Sequence, residues 1–352
     1  MKLLFIIASL GSGGAERVLS NLSNYLSLKH DVTIATFSNE DSFYALDKRV
    51  RHIKLNLLKP SSSKLESLKN NLNRFMILKK NIKQIDADVN ISFMTQTNIL
   101  AIWASKFLRK KIIVAERAIY NFYGSKSLNL MRRVSYPFSN YIITQTIADS
   151  TNYEFIKNLE TIYNPILIKS EKREKENIVL AVGRFDDNKG FDLLIETFTT
   201  LESRGWKLVI AGNGLKEEEL LDLVGKLNPK NVELIGNRKD IFEWYAKSSI
   251  FVLSSKKEGF PNVLLEAMAS GCAVVAFDCP YGPSEIIVHE KNGLLVENQN
   301  REKLASSLQQ LIDNEVLRDD LAKEAIKVKE QYAMKKIAKN WEDIIVKVVS
   351  SD

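Results

Sequence analysis

This sequence predicts two doubly wound α/β domains with a helical tail, on three observations. Short apolar runs alternate with helical periodicity through the first half. The alternation restarts after a break at Tyr163-Asn164-Pro165 and a charged stretch over residues 169–176. At 352 residues and 45% hydrophobic, the chain is also too long for one ordinary core and suits two domains of about 150–200 residues.

In the first domain, residues 3–8 and 32–37 have the composition of strands, with a helix over 16–28 between them. Further strands are expected at 88–93, 112–115 and 141–144, separated by helical patterns at 65–83 and 98–108. That order indicates a parallel sheet with helices on both faces. The second domain repeats it with strands at 178–182, 207–211, 232–235, 250–253 and 273–276, and helices at 191–201, 216–227 and 261–269. From residue 301 onward the pattern is helical, with an interruption at 331–333. The expected domains are therefore 1–165 and 166–333, followed by a last helix within 334–352. Such sheets bind ligands beyond the carboxyl ends of their strands, so two domains facing each other would enclose a cleft.

Residues 1–8 are apolar but short, and Gly11, Ser12, Gly13 and Gly14 follow at once. This favours a buried first strand over a signal peptide. No stretch approaches the ~20 apolar residues of a spanning helix. Cys272 and Cys279 are the only cysteines, which suits a reduced cytoplasm and suggests no disulfide or zinc framework. The net charge of +7 is uneven: residues 1–165 carry 23 Lys/Arg against 12 Asp/Glu, and the remainder 27 against 31. The basic half suits an anionic partner, either phospholipid headgroups or a phosphorylated acceptor. Nucleic acid is disfavoured, because no zinc finger or aromatic RNA-binding motif is present.

Three segments carry the chemistry. Gly11-Ser12-Gly13-Gly14-Ala15-Glu16-Arg17 follows the first strand and opens a helix, where backbone N–H groups approach a phosphate or sugar. It is either such a cradle or only a tight turn. It is not a dinucleotide fingerprint, because the sixth position is Glu16 and the second strand ends Thr36-Phe37-Ser38 without an acid. In Gly183-Arg184-Phe185-Asp186-Asp187-Asn188-Lys189-Gly190, Arg184 and Lys189 either converge on a diphosphate or are surface charges. Asp186-Asp187 has the character of a turn. In the third segment, Lys257-Glu258-Gly259-Phe260-Pro261-Asn262-Val263-Leu264-Leu265-Glu266, Pro261 suits a helix's first turn. The amides of Asn262, Val263 and Leu264 would point at a phosphate. Glu266 falls among apolar neighbours, where an unpaired carboxylate is costly.

Together these residues resemble glycosyltransferase family 4, retaining enzymes of the GT-B architecture. Its signature of two glutamates separated by seven residues matches Glu258 and Glu266. Asn164-Pro165, Gly212-Asn213-Gly214 and Asn292-Gly293-Leu294-Leu295-Val296 extend the likeness over nearly the whole chain. The resemblance implies that Arg184 and Lys189 bind a donor diphosphate, Glu258 positions the donor sugar and Glu266 binds the ribose. Gly13, Gly14, Arg117, Ile235, Gly259, Phe260, Pro261, Asn262 and Val263 complete the implied donor set. It implies a nucleotide-sugar donor, with UDP favoured, no metal or other cofactor, and a front-face reaction in which the leaving phosphate takes the proton. It also implies that the last helix crosses back onto the first domain. Many members carry a histidine near the donor sugar; here Ala115-Glu116-Arg117-Ala118 stands there, and Arg117 takes its place. His30, His52 and His289 lie elsewhere, in loop or edge positions.

For the acceptor, residues 64–83 form a helix carrying Lys64, Lys69, Arg74, Lys79, Lys80 and Lys83 among Leu65, Leu68, Leu72, Phe75, Ile77 and Leu78. Either it binds headgroups or a lipid-linked pyrophosphate, or it presents a solvated face. Residues 74–83, with Ile91-Ser92-Phe93 and the 132–138 segment, are similar to bacterial N-acetylgalactosaminyltransferases that extend undecaprenyl-diphosphate-linked glycans. Arg74, Lys79 and Lys80 are thus the expected acceptor contacts, at the inner face of the cytoplasmic membrane. Tyr281-Gly282-Pro283-Ser284-Glu285 recurs in surface-polysaccharide transferases and would also cradle the donor. A glucose- or galactose-transferring enzyme of the same fold, a non-catalytic partner subunit and a dinucleotide oxidoreductase are the competing assignments.

Overall fold

A computed structural model describes residues 1–58, 62–120, 124–166 and 173–351. Positions 169–172 of the charged stretch lie outside the described residues, as does the Lys64 side chain. The chain divides into two compact units, 1–165 with 334–352, and 166–333.

The first unit holds β1 (Lys2–Ile7), β2 (Asp31–Thr36), β3 (Arg51–Lys54), β4 (Val89–Phe93), β5 (Ile112–Ala115), β6 (Tyr141–Thr144) and β7 (Leu159–Thr161). These form one sheet in the order β3-β2-β1-β4-β5-β6-β7, and every neighbouring pair is parallel. The second unit holds β8 (Glu176–Val182), β9 (Lys207–Ala211), β10 (Val232–Leu234), β11 (Ser248–Leu253), β12 (Ala273–Asp278) and β13 (Leu294–Glu297). Their order is β10-β9-β8-β11-β12-β13, again all parallel. All five residues of β4 are buried, as expected of a parallel strand covered on both faces. In each sheet the order reverses beside the first strand, at β1/β4 and at β8/β11. Doubly wound sheets bind ligands at that reversal, beyond the carboxyl ends of the strands.

The helix Met334–Ser350 belongs to the first unit. Ile337, Ala338, Trp341, Ile344, Ile345 and Val348 form one helical face, buried in the same core as β1 and β4. The Trp341 ring stacks on Phe93 with centroids 5.8 Å apart and planes 10° from parallel. At the helix's other flank His30 Nε2 lies 3.2 Å from Glu342. The two chain crossings run side by side, since the Ile166 amide donates to Tyr332 O at 2.8 Å and Ile166 bridges Ala333.

Trp341 is fully buried, and truncating a buried tryptophan costs about 3–5 kcal/mol. Trp341→Ala should lower the urea midpoint of the first unit and speed amide exchange along Met334–Ser350. Unchanged exchange there would show that the stacking does not hold the helix.

Candidate functional site

The reversal in the second unit is built from the loops that follow β8 and β11. Three hydrogen bonds zip them together: Lys256 N to Asn188 O (2.7 Å), Asn188 Nδ2 to Lys257 O (2.8 Å) and Ser254 Oγ to Lys189 O (2.8 Å). Gly190 has φ +61°, and a Cβ there would lie 2.5 Å from Ser254 O, so the turn requires glycine. This seam brings Lys189 Nζ to 2.5 Å from Glu258 Oε1, and both side chains are largely buried. Arg184 is directed elsewhere: its side chain is 71% exposed, with Nε bound to Asp186 Oδ2 at 2.7 Å. Asp186 Oδ1 accepts from the amides of Asn188 and Lys189, so the Asp pair is a turn.

Glu266 lies on the helix Asn262–Ala269, 7% exposed among buried Leu264, Leu265, Ala267 and Met268. Pro261 caps that helix, Val263 lies in its first turn, and Phe260 is buried with its ring 5.9 Å from Tyr332. The amides expected to await a phosphate are partly committed. Asn262 N donates to Phe260 O and Leu264 N to Pro261 O, each at 3.0 Å, because the turn folds tightly on itself. The 281–283 turn lies against this segment, since a Cβ on Gly282 would meet Pro261 Cδ at 2.6 Å and Gly259 O at 2.9 Å. Beside them the buried Cys279 thiol is pushed up to about 12, by burial first and then by the Glu258 charge. Ile235, just past β10, donates its amide to Ile210 O, and Gly236 O accepts from the Gly212 amide, which places Ile235 on the same rim.

In the first unit Gly13 caps the helix Gly14–Leu26 with extended backbone. The Glu16 side chain folds back over it: a Cβ on Gly13 would lie 2.2 Å from Glu16 Oε2. Burial raises the pKa of that carboxyl. Arg117, expected near the donor sugar, has a guanidinium engaged inside the first unit. It is buried between the rings of Phe93 (5.5 Å) and Trp341 (5.4 Å), and Nη1 donates to Asn164 Oδ1 at 2.9 Å. Burial lowers its pKa to about 9, partly offset by Glu116.

The expected acceptor helix spans Lys64–Ile85, and its cations are not equivalent. Arg74 Nε donates to Leu57 O at 3.0 Å and Nη1 to Asn71 Oδ1 at 3.1 Å, so Arg74 serves the fold. Lys79 lies over the Phe107 ring at 5.2 Å, and Lys80 is exposed. His52 lies on edge strand β3 with Nε2 3.0 Å from Thr36 Oγ1, and His289 Nδ1 accepts from the Leu295 amide.

Residues 164–328 match the family model "Glycosyl transferases group 1". A Campylobacter jejuni relative is 31% identical over 99% of both chains. Its name is GalNAc-alpha-(1->4)-GalNAc-alpha-(1->3)-diNAcBac-PP-undecaprenol alpha-1,4-N-acetyl-D-galactosaminyltransferase. The chain belongs to the group 1 glycosyl transferases. An Erwinia amylovora relative, amylovoran biosynthesis glycosyltransferase AmsD, is 30% identical over 98% of this chain and 99% of its own. Among solved structures, Anabaena Alr3699/HepE in complex with UDP and glucose superposes with a TM-score of 0.81 at 19% identity, covering 98% of this chain and 99% of its own. That likeness is one of fold, two Rossmann-like units in the GT-B manner. The chain is thus a nucleotide-sugar-dependent glycosyltransferase.

This glycosyltransferase also holds a buried charge network that sequence reasoning missed. Glu116, directly after β5, accepts from Thr95 Oγ1 (2.9 Å) and Tyr136 Oη (2.5 Å), with Arg132 Nε at 3.7 Å. Arg132 also donates to Tyr120 O at 2.8 Å, and its guanidinium lies 4.5 Å from the Tyr120 ring centroid. Asp149 completes the clamp by accepting the Tyr120 amide at 2.9 Å. The only signal in the sequence was Glu116 at a strand end; its partners lie far along the chain.

Burial raises the Asp149 pKa from 3.8 to about 7. The folded state therefore holds a proton that the unfolded chain releases, and stability falls as pH rises from about 4 to 7. Asp149→Asn keeps the acceptor oxygen and should flatten that slope in thermal unfolding. An identical slope in the variant would assign the titration to another group.

Proposed function

We propose that this glycosyltransferase moves N-acetylgalactosamine from a UDP donor, with retention, onto a glycan carried on undecaprenyl diphosphate. The observation that carries the reading is the Campylobacter jejuni relative, alike over 99% of both chains and named for that class of transfer. In this reading the first unit takes the acceptor and the second the nucleotide sugar. The reaction takes place at the inner face of the cytoplasmic membrane. The amylovoran relative favours a second reading, in which the same chemistry builds a surface polysaccharide with another hexose.

The site chemistry supports the assignment. Lys189 and Arg184 stand at the reversal point, where they would neutralise a donor diphosphate without a metal. A phosphate oxygen competes with Glu258 for Lys189, and that exchange leaves the Glu258 carboxylate to accept hydrogen bonds from sugar hydroxyls. Glu266 holds the ribose diol, and the turns at 259–263 and 281–283 close around the sugar and phosphates. The bond from anomeric carbon to phosphate oxygen breaks as the acceptor hydroxyl bonds to the same face of that carbon. The leaving phosphate takes the hydroxyl proton, and the two cations stabilise its developing charge.

The lipid-linked acceptor would be met by the helix Lys64–Ile85. Leu65, Leu68, Leu72 and Met76 are spaced as one stripe along it and are all exposed, flanked by exposed Lys69, Lys80 and Lys83. That combination suits an anionic bilayer surface. Among the described residues no helix is long and apolar enough to cross a membrane.

Glu258→Ala should lower kcat by at least about a hundredfold, the scale of one electrostatic contact in a transition state. UDP affinity, read by thermal stabilisation, should change little. A rate near that of the parent would remove Glu258 from the mechanism. Replacing Leu68 and Leu72 with Glu should abolish sedimentation with phosphatidylglycerol vesicles while sparing UDP binding. Undiminished sedimentation would make the stripe a solvated face.

A further inference from the structure

The loop after β2 is held unusually firmly for a surface connection. The Ser38 amide donates to Ala8 O and the Phe43 amide to Leu10 O, both at 2.8 Å, so the loops after β1 and β2 run together. Tyr44 Oη donates to Ser12 O at 2.8 Å, which ties the loop to the glycine turn itself. Past it, Asn24 of the helix Gly14–Leu26 donates to Ala45 O (2.9 Å) and accepts from the Asp47 amide (2.8 Å). The backbone at Phe43 is thus held on both sides, yet the residue is 60% exposed. It meets Tyr44 edge-on, with centroids 5.1 Å apart and planes at 80°. The exposed Phe43 side chain thus stands at the carboxyl ends of β1 and β2, the rim where such sheets take ligands.

We infer that Phe43, braced by Tyr44, is a stacking platform for a pyranose ring of the acceptor glycan. A pyranose offers an apolar C–H face that covers an aromatic ring, with hydroxyls round its edge. Polar groups for that edge are close in the fold: Asp41, 94% exposed, pairs with Lys54 at 2.6 Å, and both lie on this rim. The local charge argues against a phosphate as occupant. The Glu16 carboxylate covers the neighbouring glycine turn, and Lys54 already carries Asp41. A neutral sugar meets neither obstacle.

The inference rests on the glycan-acceptor reading, and its test has an arm that needs no turnover. With full-length protein, saturation-transfer NMR of methyl N-acetyl-α-galactosaminide should lose most of its signal in Phe43→Ala and keep it in Phe43→Trp. Stabilisation by UDP should be equal in all three proteins. Where transfer is measured, Phe43→Ala should raise the acceptor KM about tenfold with kcat within about twofold. An unchanged glycoside signal in Phe43→Ala overturns the platform, as does a loss confined to UDP binding or to vesicle sedimentation. Absence of transfer from every nucleotide sugar would instead end the proposed function and leave the NMR arm to decide the platform.

Discussion

The reversal of strand order beside β8 is the constraint on which the second unit's chemistry depends. Neighbouring parallel strands that leave in opposite directions open a gap between their connecting loops, and here the gap is closed by hydrogen bonds donated by Asn188, Ser254 and Lys256. Closing it forces close backbone contacts that only glycine permits. A Cβ on Gly212 would lie 1.8 Å from Gly183 O, and one on Gly214 would lie 2.4 Å from Phe185 O. A Cβ on Gly183 would also press on Lys189 at 3.2 Å. The glycines of two separate motifs thus let these loops pack closely around the lysine that lies 2.5 Å from Glu258. A buried pair of this kind is costly to break by removing one partner. A ligand that offers Lys189 a phosphate and Glu258 a hydroxyl substitutes for both partners at once.

How much of this was legible follows from burial. Strands β5, β6 and β9 fall where their apolar runs end, because strands covered on both faces leave no room for polar residues. Strand β3 reads Arg-His-Ile-Lys and β7 reads Leu-Glu-Thr. Both are edge strands, half exposed, so no apolar run announces them. Among the candidate site residues, Glu258 and Glu266 were singled out by their match to the family signature within one segment. The pairing of Lys189 with Glu258 was not, since it joins residues 69 apart through a sheet contact. The surroundings of Arg117 were not legible either. The family resemblance suggested a ligand contact for it, but its burial against Trp341 and Asn164 joins residues that no local pattern places side by side.

Arg117 and Arg132 also show how the first unit uses part of its excess of positive charge. Each guanidinium is buried at the carboxyl end of the sheet, and each is covered by aromatic faces as well as by oxygen acceptors. A guanidinium tolerates this better than an ammonium because it is planar and weakly hydrated. Arg132 faces two buried carboxyls, Glu116 and Asp149, and burial raises the pKa of both. One cation cannot neutralise two carboxylates, and protonation of Asp149 resolves the imbalance. The result is mechanical: Tyr120 is gripped by its amide, its carbonyl and its ring, so the chain leaving β5 starts from a fixed point.

The two glycine turns, one per sheet, look interchangeable in sequence but differ in charge. At the first, the helix N-terminus that would attract an anion already has the Glu16 carboxyl folded over Gly13. A bare helix terminus contributes only about 0.3–1 kcal/mol toward an anion, and a carboxylate at the same place cancels it. At the second turn, Lys189 and Arg184 are both present, and each is paired with a carboxylate that a phosphate oxygen displaces without leaving a cation exposed to an apolar surface. In the proposed reaction this charge difference favours the second unit as the place of the donor diphosphate. On the proposed reading the rim of the first unit would take a partner that is neutral where it meets the glycine turn, with the exposed cations Lys69, Lys80 and Lys83 lying farther off along their helix.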